Sequence, residues 1–292
     1  MLTYTNTPVQ TLHHPLFEKQ HVHVSIKRED LNHLYVSGNK WWKLKFNLEE
    51  AKKTGHHTLL TFGGAHSNHI YASAAAAKEV GLKAIGIIRG EELSIQDNAT
   101  LRFANEQGMH LHFVSREDYR KKAEPAYLQS LIEQFGQVYS IPEGGTNELA
   151  VRGVQAFALQ LKKEVDFDYL CCAVGTGGTL AGLLKALPDK KLIGFSSLKG
   201  NFLEAEVKNL LKPENSNWSI NNDYHFGGYA RYDTALMDFI LKAEKDFNIP
   251  LEQVYTGKMF FGVLDLIEKK YFPAGSKIML LHTGGLQGKI GS

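Results

Sequence analysis

An apolar segment that runs directly into a glycine-rich loop occurs at Tyr169 to Val174, followed by Gly175-Thr176-Gly177-Gly178-Thr179. The same order occurs earlier, where Thr58 to Phe62 precedes Gly63-Gly64-Ala65-His66-Ser67-Asn68. Glycines at the end of a strand let a ligand approach the backbone, and the N-terminus of the following helix presents unpaired N–H groups to an anion. The sequence therefore predicts two anion sites, one suited to a phosphate and the other to a carboxylate.

A candidate nucleophile, Lys40, follows Gly38-Asn39 and leads an amphipathic segment that contains Trp41 and Trp42. Most lysines are solvated surface groups, but a lysine among aromatic side chains can have a pKa low enough to act as nucleophile and base. Such an amine could form a Schiff base with a phosphorylated aldehyde cofactor that links the two anion sites. Lys43, one helical turn on, has the spacing to supply positive charge to a phosphate.

Short β-branched segments alternate with helical segments along most of the chain. The predicted strands are 22–27, 58–62, 83–88, 110–114, 138–141, 169–174, 192–197 and 277–282. The predicted helices are 41–54, 68–80, 98–107, 126–135, 149–165, 180–187, 202–211, 234–246 and 261–271. Alternation of this kind is typical of an α/β fold with mainly parallel sheets, helices on both faces and ligands at the carboxyl ends of the strands.

The chain is longer than a usual single domain, at 292 residues, so two lobes around one cleft are expected. No linker or repeat of fixed period divides the sequence, which favours a second lobe inserted within the first. We predict a large cofactor-binding domain formed by 1–42 and 146–292, and a smaller inserted domain formed by 43–145.

Composition excludes several classes of protein. The 33 Lys and Arg nearly balance the 31 Asp and Glu and form no long run of one sign, which argues against a nucleic-acid partner. A polar start and the lack of a long apolar stretch argue against secretion and a membrane, and for the cytoplasm. Cys171 and Cys172 are expected to be buried thiols, with a redox pair as the alternative. The histidines lack the spacing of a zinc motif, so no metal is expected.

Each candidate motif also has a purely structural explanation. The loop after Val174 begins like a dinucleotide fingerprint, but Leu180 stands where the third glycine belongs, and no acidic residue follows about 20 residues later. A tight strand-to-helix turn would need the same glycines without any ligand. Ser67 is by itself an ordinary N-cap, although a cap leaves other N–H groups free for a carboxylate. Tyr229 and Tyr255, which lie near glycines, are equally explained by packing.

Taken together, these motifs resemble the 1-aminocyclopropane-1-carboxylate (ACC) deaminase and D-cysteine desulfhydrase family of pyridoxal-phosphate enzymes, in the tryptophan-synthase-β fold group (fold type II). The resemblance spans nearly the whole chain. It is carried by Lys27-Arg28-Glu29-Asp30, Gly38-Asn39-Lys40, the two glycine loops, Tyr255 and His282-Thr283-Gly284-Gly285. It implies pyridoxal 5'-phosphate as the cofactor, a small amino acid as the substrate, and a homodimer.

The resemblance also implies roles for individual residues. Lys40 would form the Schiff base with the cofactor and move the substrate's proton, Asn68 would bond the ring hydroxyl, and Thr283 would face the ring nitrogen. Lys43 would be a charge partner of the phosphate. The phosphate would rest on Gly175, Thr176, Gly177, Gly178 and Thr179.

On the substrate side, the resemblance places Ser67 at the substrate carboxylate, close to the reacting atoms, and Tyr229 and Tyr255 on the opposite side. Family members that open the cyclopropane ring have a glutamate and a leucine where this chain has Thr256 and Thr283. A neutral hydroxyl near the ring nitrogen favours direct β-elimination, so D-cysteine is the expected substrate and ACC the alternative.

The segment Ala230-Arg231-Tyr232-Asp233 departs from the family's proline, asparagine and glutamate stretch, which leaves room for a third amino-acid substrate. Two alternatives of other classes are a nucleotide-binding oxidoreductase and a protein that binds pyridoxal phosphate without turnover. The oxidoreductase conflicts with Leu180 and leaves Lys40 unexplained. The inactive binder conflicts with the retention of every proposed chemical group.

Overall fold

Ten strands, eleven α-helices and four short 3₁₀ helices lie in the part of the chain that the computed structural model describes, which is residues 1–211 and 216–290. The strands are β1 (Val9–Leu12), β2 (His23–Lys27), β3 (Thr58–Gly64), β4 (Lys83–Arg89), β5 (Met109–Val114), β6 (Tyr139–Ile141), β7 (Tyr169–Val174), β8 (Lys191–Ser196), β9 (Trp218–Asn221) and β10 (Lys277–Leu281). The helices are α1 (Pro15–Lys19), α2 (Asn39–Lys53), α3 (Asn68–Val80), α4 (Ala99–Glu106), α5 (Arg116–Arg120), α6 (Pro125–Phe135), α7 (Glu148–Glu164), α8 (Gly178–Ala186), α9 (Leu203–Leu210), α10 (Thr234–Phe247) and α11 (Thr256–Glu268).

The strands form two sheets. The larger has six strands in the order β1-β2-β10-β7-β8-β9, and only the β1–β2 pair is antiparallel. The smaller has four parallel strands in the order β5-β4-β3-β6. Parallel neighbours need crossover connections, which the intervening helices provide. The predicted α/β fold with mainly parallel sheets is therefore confirmed.

Both faces of the larger sheet are covered by apolar side chains. Leu170 and Cys172 of β7 belong to one core cluster, whereas Cys171 and Ala173 belong to another. Because successive side chains of a strand point to opposite faces, the two clusters lie on opposite sides of the sheet. The same alternation separates Cys171 from Cys172, which are buried free thiols, as the sequence predicted. Burial raises the pKa of the Cys172 thiol to about 12.

The smaller sheet uses only strands from residues 58–141, and the larger sheet uses strands before and after that segment. Helix α2 continues through position 43, the predicted start of the inserted domain. The edges at 42/43 and 145/146 remain predictions. No helix in the described ranges is both long enough and apolar enough to span a bilayer.

The sequence placed the long elements within a few residues but missed the short ones, β1, α1, α5 and β9. The prediction of a helix over 261–271 was also wrong in its bounds, because α11 begins at Thr256 and ends at Glu268. The carboxylate of Glu252 accepts hydrogen bonds from the backbone N–H groups of Val254, Tyr255 and Thr256. This side-chain cap starts the helix about one turn before its apolar pattern becomes visible.

Candidate active site

A cavity of about 320 Å³ lies at the carboxyl ends of strands from both sheets. The structure brings together on its wall eleven of the residues that the sequence singled out. They are Lys40, Lys43, Ser67, Asn68, Gly175, Thr176, Gly177, Thr179, Tyr229, Tyr255 and Thr283. Gly178 lies just behind the wall, where an added Cβ would stand 2.9 Å from Thr146 and 3.3 Å from the Lys43 amine.

The start of α2 is tied to two other edges of the cavity, and this places Lys40. Gly38 has φ of 70°, and a Cβ at this position would lie 1.9 Å from the carbonyl oxygen of Thr283. Asn39 donates its backbone N–H to that oxygen at 3.3 Å and its side-chain Nδ2 to Thr179 Oγ1 at 2.8 Å. Only glycine at position 38 allows this close approach of the α2 N-terminus to the end of β10.

A buried carboxylate anchors the segment before Lys40. Glu29 accepts hydrogen bonds from Trp42 Nε1 at 2.6 Å, Asn32 Nδ2 at 2.9 Å and Thr7 Oγ1 at 2.5 Å. Asn32 in turn bonds both the N–H and the carbonyl of Gly38. Trp42 therefore packs in the core and also positions this carboxylate, which fixes the backbone beside the candidate nucleophile.

Lys40 is partly exposed to the cavity, and within the described ranges its amine has no ion pair. Desolvation by the surrounding protein lowers its pKa to about 8. A substantial fraction of this amine is therefore unprotonated slightly above neutral pH, as nucleophilic attack or proton abstraction requires.

Lys43 is buried beside the second glycine loop. Its amine donates to Gly144 O, to Thr146 Oγ1 at 2.8 Å and to Thr176 Oγ1 at 3.4 Å. Burial first, and the charge of Lys40 second, hold its pKa well below the usual range. A bound anion would raise this pKa again, because an opposite charge favours the protonated amine.

The junction between β7 and α8 presents backbone N–H groups directly to the cavity. Gly177 occupies the N-cap position with φ of 78°, and no side chain in the described ranges caps the helix. The hydroxyl of Thr176 bonds Thr146 Oγ1 at 2.6 Å, and Thr179 is buried beside Asn39. An uncapped helix N-terminus with two threonine hydroxyls suits a phosphate monoester.

The junction between β3 and α3 has a different arrangement. Ser67 Oγ accepts hydrogen bonds from the N–H groups of His69 at 3.2 Å and Ile70 at 3.3 Å. Asn68 is held by Gln287, whose Nε2 donates to Asn68 Oδ1 at 2.7 Å, and it lies close to Gly285. Ser67 therefore acts as the N-cap that the sequence offered as a structural explanation, and it also lines the cavity.

His69 lines the cavity but was not identified from the sequence. Its Nε2 lies 2.7 Å from Thr61 Oγ1, and that hydroxyl donates to Ile141 O. Nε2 must therefore carry the proton, because the Thr61 hydroxyl already uses its own hydrogen. Burial, together with the charges of Lys40 and Lys43, keeps the pKa of His69 well below its usual value, so the ring is neutral.

Tyr229 and Tyr255 face each other on the cavity wall, with ring centroids 6.1 Å apart. Burial raises the pKa of both phenols, and Tyr255 is shifted well above the usual range. Both hydroxyls are therefore protonated near neutral pH and can donate hydrogen bonds. Thr256 is not among the described lining residues, because its side chain is buried and its hydroxyl donates to Glu252.

Arg89 and Glu143 also line the cavity, and neither was predicted from the sequence as a site residue. The Arg89 guanidinium lies near Gly64, 3.5 Å from where a Cβ on that glycine would stand. Glu143 accepts a hydrogen bond from Tyr119 at 2.7 Å and pairs with Lys122. Arg89 ends β4 and Glu143 follows β6, so the rule that ligands bind at carboxyl strand ends could have found them.

The residues present fit pyridoxal 5'-phosphate. The cavity has a partly unprotonated amine, an uncapped helix N-terminus with hydroxyl groups for the phosphate, and amide and hydroxyl side chains at Asn68 and Thr283. Its volume lies at the lower end of the range of about 300–1,000 Å³ usual for small-molecule sites. Within the described ranges, no group of three or more His, Cys, Asp or Glu side chains could hold a metal ion.

Comparisons with known proteins agree with this chemistry. A family model described as pyridoxal-phosphate dependent enzyme matches residues 1–284. A Thermotoga maritima protein, provisionally named 1-aminocyclopropane-1-carboxylate deaminase, is 31% identical over 98% of this chain and 96% of its own length. A mitochondrial Arabidopsis thaliana protein, named bifunctional D-cysteine desulfhydrase/1-aminocyclopropane-1-carboxylate deaminase, is 31% identical over 90% of this chain and 72% of its own.

Solved structures give the same result. The crystal structure of an ACC deaminase homologue superposes with a TM-score of 0.85 and 30% identity, covering 99% of this chain and 92% of the other. A hydrogen sulfide-producing enzyme from Fusobacterium nucleatum, at 18% identity and a TM-score of 0.69, shares the fold over 98% of this chain and 97% of its own. The resemblance inferred from the motifs and the fold type are confirmed.

Proposed function

Because this chain belongs to the pyridoxal-phosphate dependent enzymes of the ACC deaminase and D-cysteine desulfhydrase family, we propose that it eliminates the β-substituent of a small amino acid, with D-cysteine as the substrate. D-Cysteine and water would give pyruvate, hydrogen sulfide and ammonia. The alternative substrate is ACC, which with water would give 2-oxobutanoate and ammonia. The name of the Thermotoga maritima relative supports the ACC reaction, and the name of the Arabidopsis thaliana relative gives both reactions. The composition of the cavity supports the D-cysteine reaction.

The observation that carries the proposal is a partly unprotonated lysine between two helix N-termini. Lys40, with its pKa near 8, would hold the cofactor and then remove the proton from the substrate Cα. The cofactor, when bound, supplies an electron sink for the pair of electrons that this proton leaves behind. The α8 N-terminus and Thr176 would bind its phosphate.

The α3 N-terminus would bind the substrate carboxylate. Ser67 Oγ accepts from the N–H groups of His69 and Ile70, and the N–H of Asn68 would donate to the carboxylate. The guanidinium of Arg89 lies beside Gly64 at the same junction and would add positive charge. Together they would fix the orientation of the amino acid and present its Cα proton to Lys40.

Tyr229 and Tyr255 would act at the other end of the substrate. Their phenols stay protonated near neutral pH, so they can donate hydrogen bonds to the sulfur that leaves from Cβ. A hydrogen bond to the departing thiolate stabilises the negative charge that develops on its sulfur atom. ACC contains no sulfur, so opening of its ring develops no such charge. This arrangement supports elimination over ring opening.

The substrate choice also depends on Thr283. Among the described residues that line the cavity, Glu143 is the only carboxylate, and it is already bound to Tyr119 and Lys122. A neutral hydroxyl at Thr283 cannot hold a proton on the ring nitrogen as a carboxylate can. Weaker stabilisation of the carbanion favours a substrate with a good leaving group on Cβ.

The experiment that tests the proposal measures products from D-cysteine, L-cysteine, D-serine and ACC with the cofactor-loaded protein. Sulfide and pyruvate from D-cysteine, with little 2-oxobutanoate from ACC, are expected. Release of 2-oxobutanoate from ACC without sulfide from D-cysteine would establish the deaminase alternative. A protein that shows the visible absorption of bound cofactor but converts none of the four would be a binder without turnover.

We also propose that the protein is a cytoplasmic homodimer. Leu34 is 79% exposed and Leu31 is 49% exposed, and the cavity-lining Tyr35 beside them is 41% exposed. Adjacent exposed apolar side chains are typical of a protein interface. Light scattering of the purified protein should give twice the mass of the chain, and a monomeric mass would contradict the dimer. Cell fractionation tests the cytoplasmic location. The two free cysteines support this location, because thiols stay reduced in the cytosol.

A further inference from the structure

Lys258 is a buried lysine that the proposed reaction does not use. Only 1% of the residue is exposed. Its amine donates hydrogen bonds to the carbonyl oxygens of His225 and Gly228, both at 2.8 Å. Within the described ranges this amine has no carboxylate partner within 4 Å. Burying an amine costs free energy. A buried lysine whose amine bonds two carbonyl oxygens therefore indicates that the protein requires those two hydrogen bonds.

The two carbonyl groups belong to a turn at 225–231 that has an unusual backbone. Phe226 and Ala230 have φ of 50° and 55°, and Gly227 and Gly228 have φ of 89° and 113°. Non-glycine residues in the left-handed region are costly and persist only where their surroundings hold them. The turn carries Tyr229, so its conformation decides where this phenol lies in the cavity.

Few bonds of its own hold the turn together. Gly228 N–H donates to His225 O and Arg231 N–H donates to Gly228 O, while His225 Nδ1 accepts from Gly227 N–H. The same two carbonyl oxygens that these backbone groups use also accept from Lys258. The Lys258 amine therefore bonds both halves of the turn, through His225 O and Gly228 O, and connects the turn to helix α11.

Tyr255 is the N-cap residue of α11, and Lys258 is the third residue of that helix. The Glu252 carboxylate fixes this helix start by accepting from the N–H groups of Tyr255 and Thr256. The N-terminal end of α11 thus carries Tyr255 at its cap and holds the turn of Tyr229 through the Lys258 amine.

We propose that Lys258 is a positioning residue that holds Tyr229 against Tyr255 by binding the turn 225–231 to α11. The catalytic part of this proposal rests on the proposed role of Tyr229. The structural part does not, because it concerns only the order of the turn. The two parts are therefore tested by separate measurements.

Hydrogen exchange of the cofactor-loaded protein tests the structural part. Lys258→Met keeps the length of the side chain but removes its N–H donors. The backbone amides of 226–231 are expected to exchange at least about tenfold faster in this variant, because the turn opens without its two bonds. Lys258→Gln keeps an N–H donor and should show a smaller acceleration, and it serves as the second variant if Lys258→Met does not fold.

Lys27→Met is the matched control. Lys27 is also 1% exposed and donates to a carbonyl, that of Thr7, but it lies on β2 and pairs with Glu164. This variant should lower the melting temperature yet leave exchange in 226–231 as in the wild type. Unchanged exchange in both Lys258 variants, or equal acceleration in Lys27→Met, would overturn the proposal.

Kinetics test the catalytic part. For the substrate that the protein turns over, Lys258→Met should lower kcat by about tenfold to a hundredfold with little change in KM, because the misplaced phenol acts on the reacting atoms and not on binding. The double variant Lys258→Met/Tyr229→Phe should be no slower than Tyr229→Phe alone. A wild-type kcat in Tyr229→Phe would refute the role of Tyr229, and the exchange rates would still decide the structural part.

Discussion

The two strand-to-helix junctions that border the cavity differ in how their helix N-termini are satisfied. At the β3–α3 junction, the hydroxyl of Ser67 occupies the N–H groups of His69 and Ile70. At the β7–α8 junction, the N-cap is Gly177, and the described chain offers no side-chain cap. In α3 most of the first-turn N–H groups have partners within the protein, whereas in α8 these groups are left for a ligand.

This difference supports the proposed positions of the two anions. An uncapped N-terminus gains most from an anion that stays bound, because without one its N–H groups lack partners. A capped N-terminus is stable without ligand and can bind an anion that enters and leaves in each turnover. The contrast therefore supports the proposal that the permanent phosphate would bind at α8 and the exchanging substrate carboxylate at α3.

The largest effect is expected at Lys40, which lies between the two junctions. Lys40→Ala should reduce turnover by at least about 1,000-fold, because the amine that moves the Cα proton is lost while both helix N-termini remain. Steady-state kinetics with cofactor in excess measure this. Lys52→Ala, an exposed lysine of the same helix, is the control and should keep wild-type activity. Activity of Lys40→Ala within tenfold of the wild type would refute the role.

The uncapped junction is tested by Thr176→Val/Thr179→Val. Each hydroxyl that bonds a charged phosphate contributes about 1.5 kcal/mol or more, so the cofactor dissociation constant should rise by about a hundredfold. Titration of the apoprotein with pyridoxal phosphate measures this affinity. Thr234→Val, at the exposed start of α10, is the control. An unchanged affinity would place the phosphate elsewhere and remove the contrast between the junctions.

The capped junction is tested by Ser67→Asp, which keeps an N-cap but adds a negative charge beside the carboxylate site. Repulsion of roughly 2 kcal/mol at this partly solvated position should raise KM by about thirtyfold. Ser67→Ala is the companion variant, and loss of the cap should lower its free energy of unfolding by about 1 kcal/mol. If Ser67→Asp keeps both the stability and the KM of the wild type, the substrate carboxylate does not bind at α3.

The smallest effect is the pH dependence of cofactor capture by the apoprotein. The pKa of Lys40 is lowered to about 8, so the amine is protonated below that pH and free above it. The rate of capture should rise by about tenfold from about pH 7 to about pH 9, since only the free amine attacks the aldehyde. Stopped-flow absorption measures the rate. A midpoint near 10.5, the value of an ordinary lysine, would contradict the desolvated environment.

The sequence predicted most of the long elements because their apolar periods and terminal glycines are local signals. Helix α3 was predicted at its observed bounds, since Ser67 and Gly81 mark its two ends. The short edge strands β1 and β9 were missed because too few residues carry a pattern. The early start of α11 depends on the buried Glu252, whose role as a cap appears only once the chain has folded.

The roles predicted for the site residues remain predictions, but their meeting in one cavity is a structural fact. The glycine loops and Gly38-Asn39-Lys40 could be recognised because their chemistry needs residues that are adjacent in sequence. Arg89 and Glu143 carry only the weaker signal of a position at the end of a strand, and His69 carries no local signal that separates a cavity wall from a core. Lys258 is the clearest case, because its burial is explained by the hydrogen bonds that its amine donates to the carbonyl oxygens of His225 and Gly228.

The amino-acid sequence by itself determined the α/β class and the family, and it predicted the two anion sites, because each depends on short-range patterns of apolar, glycine and hydroxyl residues. Only the tertiary structure decided which helix N-terminus is capped, how far the pKa of Lys40 falls, and which side chains hold the tyrosines. These properties depend on desolvation and on hydrogen bonds between segments that are far apart in the chain, such as Asn39 and Thr179, which are 140 residues apart. The local sequence does not encode which distant residues will meet. The side chains therefore acquire these hydrogen bonds and shifted pKa values only when the chain folds.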